Sequence, residues 1–193
     1  DYDRALSSYR KSLELNPGFF YGYLRKGQME YRLERLPAAR RSLDESMELM
    51  PTAEAHYLLG MMDKAEGKTQ SAMDHFQTAA KSDSEMGRKA SEELVRLDLG
   101  NNPSRYIASR AVVDGNNTVW VQFQNRSPLA VRDLELSYAW LDEAGQTRQG
   151  RKLFKGPLGG GEQEQLSLGI RLNSAAELQR RVRVEVSGAR IAN

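Results

Sequence analysis

The sequence predicts an α+β multidomain chain, in which an α-α superhelix of two-helix repeats is followed by an all-β antiparallel sandwich. Two observations carry that prediction. In the first half, a small residue followed four positions later by a large one recurs at Ala5/Tyr9, Ala39/Leu43 and Ala72/Phe76, with spacings of 34 and 33 residues. After Pro103 the three-and-four spacing gives way to strict alternation of apolar and polar residues.

The opening stretch DYDRALSSYRKSLELNPG reads as a helix with Ala5, Tyr9, Ser12 and Leu13 on one stripe, stopped by Asn16-Pro17-Gly18. Twelve residues after the first two alanines stand Pro17 and Pro51, and Ser84 holds that place after the third. Twelve before the last two stand Gly27 and Gly60, each preceded at four positions by a ring, Tyr23 and His56. The interval from Gly27 to Ala39 equals that from Gly60 to Ala72, so the one-residue deletion falls in the loop after Pro51. The expected units are a half repeat at 1–17, repeats at 18–51 and 52–84, and a capping helix at 85–99. Asp83-Ser84 starts that last helix and Gly100-Asn101-Asn102-Pro103 ends it.

Leu59-Gly60 with Ala72-x-x-x-Phe76 resembles the signature of the tetratricopeptide repeat family, while Lys26, Glu30 and Asp63 depart from it. In that pattern the Gly and Ala positions let two antiparallel helices approach closely, and the large residue is expected to fill the groove between neighbouring repeats. The resemblance implies a concave groove lined by the first helix of each repeat, taking a peptide or protein partner. Carried over by position, that groove holds Tyr21, Leu24, Arg25, Gln28, Tyr31 and Arg32 from one repeat and Tyr57, Met61 and Lys64 from the next. The Tyr and Met residues among them serve equally well as core filling. The family's Lys and Asn clamp for a C-terminal carboxylate is absent, because Leu24 and Gln28 stand in its place.

From 104 to 193 an immunoglobulin-like β-sandwich is expected. Val119-Val121-Phe123, Leu134-Leu136-Tyr138-Trp140, Leu166-Leu168-Ile170-Leu172 and Val182-Val184-Val186 each alternate with polar or small residues. Turn chemistry separates them at Asp114-Gly115-Asn116-Asn117, Asn125-Arg126-Ser127-Pro128 and Asp142-Glu143-Ala144-Gly145. The segment Tyr138 to Gly145 resembles the hallmark of the FxLYD-type bacterial sandwich domain. That resemblance implies a non-catalytic accessory domain and a cell-envelope or periplasmic location. The order of repeats then sandwich is similar to the C-terminal, non-catalytic part of HExxH zinc metallopeptidases that carry such repeats. On that alternative the fragment guides substrate or assembly, and a protease domain and export signal are expected upstream of Asp1.

Composition narrows the function classes. The 39% hydrophobic and 28% charged content is that of a globular chain. No apolar run approaches the ~20 residues of a membrane helix. Zero cysteines exclude disulfides and thiolate metal sites. The net charge of +2 lacks the dense basic stripe of a nucleic-acid binder, so none is expected as partner. His56 and His75 have no HExxH context or third ligand, so no catalytic residue, metal or cofactor is expected, and both are read as packing or surface residues. Gly156 to Gly161 leads into a strand without Gly-Lys-Ser/Thr and is a loop. Arg180, Arg181 and Arg183 with Arg148, Arg151, Lys152 and Lys155 form either an anion-attracting face or a charged, solvated sheet edge, with Arg181 and Arg183 pointing outward together. Finally, Tyr2 and Leu6 lie on a flank of the first helix that is expected to lack cover, and so to fray or to dock on a second copy.

Overall fold

The computed structural model describes residues 2–192. Asp1 and Asn193, the outer limits of the two expected domains, lie outside them. By contact density the chain divides into two units, up to Glu93 and from Leu94.

The first unit is a run of antiparallel helices: α1 Tyr2–Leu15, α2 Phe20–Arg32, α3 Leu36–Leu49, α4 Ala53–Ala65, α5 Thr69–Ala79 and the first part of α6, Glu85–Asp98. The repeat positions work as close contacts. A Cβ on Gly27 would meet Leu43 Cγ at 2.9 Å and the Ala39 carbonyl at 3.2 Å, and one on Gly60 would meet the Phe76 ring at 2.7 Å. Without a side chain there, α2 lies against α3 and α4 against α5, with Ala39, Leu43, Ala72 and Phe76 fully buried. The turns inside the two hairpins place Glu34 and Gly67, 33 residues apart, in the left-handed region at φ 57 and 74. Only the glycine adopts that conformation without strain. Thr52 caps α4 by accepting from the Ala55 amide at 3.1 Å.

The flank of α1 differs from its expectation. Leu6 is 2% exposed, and only Tyr2, at 41%, stays open. Leu6 lies two helical turns before the buried Leu13, so these two residues define the packed stripe of α1, with Ala5 and Tyr9 half-buried beside it. The bare pair on which self-association was expected is therefore reduced to Tyr2.

In the second unit, Val95 in the last turn of α6 and Leu99 just after it join a β-sheet core. A short helix, α7 Pro103–Tyr106, precedes strands β1 Ile107–Val113, β2 Thr118–Asn125, β3 Val131–Leu141, β4 Thr147–Phe154 and β5 Gln163–Arg171; helix α8 Leu178–Arg181 then leads into β6 Val182–Ile191. Two antiparallel sheets form among the described residues, ordered β1-β2-β5 and β4-β3-β6. Val119, Val121 and Phe123 from one sheet and Leu134, Leu136, Val182 and Val186 from the other close a single core between them. Asn125 is fully buried and donates to the carbonyls of Leu129 and Leu158 at 2.7 and 2.9 Å, tying down the crossing from β2 to β3. Among the described residues no helix is long and apolar enough to cross a membrane.

Of the arginines of the sandwich, Arg151 and Arg183 line one open pocket, while Arg148 and Arg181 are engaged separately. Arg181 sits at the end of α8, donating to the Leu141 carbonyl at 3.0 Å and pairing with Glu177 at 2.8 Å, while Arg183 points outward from β6. Arg148 pairs with Asp142 at 2.9 Å, Arg151 with Glu135 at 3.4 Å, and Lys152 donates to the Ser167 carbonyl at 2.6 Å. The expected outward pair of Arg181 and Arg183 is thus corrected: the chain is still helical at Arg181, so strand alternation begins only after it.

Candidate functional site

Helices α2, α4 and the start of α6 are the first helices of successive repeats, and their facing sides carry the residues expected in the groove. Tyr21, 39% exposed, lies beneath the Arg25 guanidinium, whose carbon stands 4.7 Å from the ring centre. Arg25 donates to Gln28 Oε1 at 2.8 Å and to Glu54 Oε1 of α4 at 2.9 Å, and Gln28 Nε2 reaches the same Glu54 oxygen at 3.1 Å. Near the other end of α4, Lys64 pairs with Glu93 of α6. Ion pairs therefore link α2 to α4 and α4 to α6.

Tyr57 is half-buried, its ring 5.9 Å from that of Phe76. Burial, followed by the nearby Glu93 carboxylate, pushes its hydroxyl pKa up. Tyr31 packs on the same core, and Met61 of α4 is half-buried. Two expected residues stand apart. Leu24 is 3% exposed and belongs to the core, and Arg32 turns to α1, donating to the Tyr2 hydroxyl at 2.9 Å. The structure thus brings Tyr21, Arg25 and Gln28 into one cluster with Glu54, a residue that spacing alone did not single out.

A second polar cluster sits between α4 and α5. His56 Nδ1 and His75 Nδ1 are 3.0 Å apart, so one ring donates and the other accepts. His75 Nε2 lies 3.7 Å from Asp63, whose carboxylate is 2% exposed as a residue, accepts from Ser71 at 2.5 Å and pairs with Arg40 of α3 at 2.7 Å. Arg40 also reaches Glu66 at 3.1 Å. Burial opposes ionisation of Asp63, but the hydrogen bonds from Ser71 and Arg40 outweigh it and hold the carboxyl below its usual range. The equivalent Glu30 in the preceding repeat is also buried and accepts from Ser42 at 2.6 Å. Both carboxylates occupy the position where the sequence departs from the repeat pattern. That departure was the available signal for this cluster, since the histidines lie 19 residues apart.

Burial and then the charge of His75 lower the His56 pKa below 6.5. The unfolded chain takes up this proton first, so stability contributed by neutral His56 is present above 6.5 and is lost as pH falls through the folded value. Lowering the pH from about 7.5 to about 5 is expected to reduce the melting temperature of the helical unit, and His56→Gln to make that reduction smaller. Thermal melts followed at the helical circular-dichroism band check this, and coincident pH profiles for the two proteins would refute it.

No family model and no curated protein matches the sequence. Among solved structures, the chain is similar to a crystal structure of MamA at 23% identity and a TM-score of 0.40, over 55% of this chain and 74% of that one. It also aligns with the Pseudomonas fluorescens alkylpurine DNA glycosylase AlkC bound to DNA containing an abasic site analog, at 14% identity and a TM-score of 0.24, over 99% of this chain and 73% of that one. Likenesses this loose decide neither fold nor function.

Proposed function

We propose that the chain is a protein-interaction module whose helical unit binds a peptide or protein segment across α2 and α4. The observation that carries this reading is the Tyr21–Arg25–Gln28–Glu54 cluster. It holds an exposed aromatic ring in place with a guanidinium and presents it beside hydrogen-bonding groups, the combination that anchors protein interfaces. Because Arg25 and Lys64 are already paired within the groove, the preferred segment is one of low net charge with an aromatic or apolar anchor.

Panning a random dodecapeptide library against the full chain tests the proposal. The double variant Tyr21→Ala/Arg25→Ala is expected to lose at least about tenfold in affinity for the recovered peptides, about 1.4 kcal/mol, while retaining its helical melt. Peptides that bind the variant as well as the wild type would sink it. The alternative, a non-catalytic region of an envelope zinc metallopeptidase, rests on resemblance alone, and no feature of the groove favours it.

A further inference from the structure

The outward face of the β1-β2-β5 sheet carries side chains that neither the core nor the helical groove uses. Alternation along β2 sends Val119, Val121 and Phe123 inward, so Trp120, Gln122 and Gln124 stand outward. The strand register then sets Arg110, Gln122 and Gln165 in one row across three strands, with Ala108, Gln124 and Gln163 in the next. Trp120 stands two residues before Gln122, about 7 Å along the strand, between Val112 and Ser167. Small Ala108 leaves the second row low, and a cleft of about 410 Å³ opens there, lined in part by Arg110, Gln122, Gln124, Arg126 and Gln163.

The face is also organised. Arg110 donates through Nε and Nη2 to Gln122 Oε1, at 3.0 and 2.8 Å, which fixes the direction of that amide. The Trp120 indole N–H donates to Asp114 at 3.0 Å and so holds the ring in one orientation. Gln124 is anchored on the Gly161 carbonyl at 3.2 Å, while Gln163 and Gln165 are exposed.

Four neutral amides, two of them already oriented by Arg110 and the Gly161 carbonyl, beside one held indole ring suit a ligand that is uncharged and rich in hydroxyls. Vicinal hydroxyls match the paired donor and acceptor of an amide, and the C–H face of a pyranose packs on an indole. Arg110 and Arg126 at the cleft keep their charge, so a polyanion is the competing ligand that the anionic control must exclude. A partner strand fits less well, since the backbone groups beneath this face are already bonded within the sheet. We propose that this face is a binding site for a neutral oligosaccharide, with Trp120 as the stacking platform and Gln122, Gln124, Gln163 and Gln165 as the groups that take its hydroxyls. The proposal is independent of the peptide groove.

The test titrates the full chain with cellohexaose, chitohexaose, xylohexaose and mannohexaose, and with heparin as the anionic control, following amide and indole resonances by NMR. At least one neutral sugar is expected to give saturable shifts at the Trp120 indole and the glutamine amides. Trp120→Ala should weaken that binding at least about tenfold. Because that variant also loses the Asp114 bond, Gln122→Ala/Gln165→Ala serves as the second one, with a comparable loss and an unchanged melt. The proposal is overturned if no neutral sugar saturates at millimolar concentration, if both variants bind as the wild type does, or if heparin alone binds.

Discussion

Phe76→Ala is expected to lower the stability of the helical unit by about 3–5 kcal/mol, the usual cost of emptying a fully buried aromatic site. Phe76 is 0% exposed, it lies against Gly60 of the facing helix, and its ring also meets Tyr57. Removing it opens a cavity that neither backbone can collapse into, because α4 and α5 are already in close approach. Gly60→Val attacks the same contact from the other side. A Cβ there falls 2.7 Å from the ring, so overpacking of about 1–3 kcal/mol is expected. The two changes should not add: the valine partly fills the space the phenylalanine leaves, so the double variant should be more stable than the sum of its parts implies. Urea titrations of the three variants provide the cycle, and strict additivity would show that Gly60 and Phe76 do not meet as described.

Arg40→Ala is expected to cost about 2–3 kcal/mol near neutral pH, somewhat below the 3–5 typical of breaking a fully buried ion pair. The discount follows from geometry: the Arg40 side chain is 29% exposed whereas that of Asp63 is 3%. Losing the guanidinium leaves a buried carboxylate with Ser71 as its remaining strong donor, so its pKa should rise. Asp63 normally titrates below 3.8, and the stability it contributes is present above that value and lost as pH falls through the folded one. In the variant this acid limb moves to higher pH. Between neutral pH and a pH below the wild type's folded value the gap should close, because a protonated Asp63 no longer needs the cation. Asp63→Asn in the Arg40→Ala background should recover part of the loss. A penalty that is the same at both pH values would mean that Arg40 acts through packing of its stem rather than through charge.

Those two contacts also mark what was legible in the sequence. Gly60 and Phe76 could be found because close helix approach forces small and large residues to recur at a fixed interval. Strands β2, β3 and β6 announced themselves by alternation, since each has one face in the core. Strand β4, TRQGRKLF, did not, because it is a sheet edge whose residues are mostly exposed and whose pattern is therefore set by solvent rather than by packing. The groove was half legible. Spacing places residues on a helix face, but it does not say that Leu24 turns into the core, that Arg32 reaches back to Tyr2, or that Glu54 arrives from the next helix. The His56–His75 contact was invisible for the same reason, as it depends on how two helices are staggered.

The buried carboxylate on α4 gives the helical run a direction and an order. Asp63 draws Ser71 from its own hairpin but Arg40 from the hairpin before it. By the 34-residue spacing of the alanines, the residue of α1 that corresponds to Arg40 is Leu6. Excising residues 18–51 would splice α1 directly to α4 and set a leucine against that carboxylate. Length and hydrophobic pattern would survive such a splice, yet the new neighbours would be chemically mismatched. The hairpins of this chain are thus keyed to their predecessors and cannot be shuffled like identical bricks.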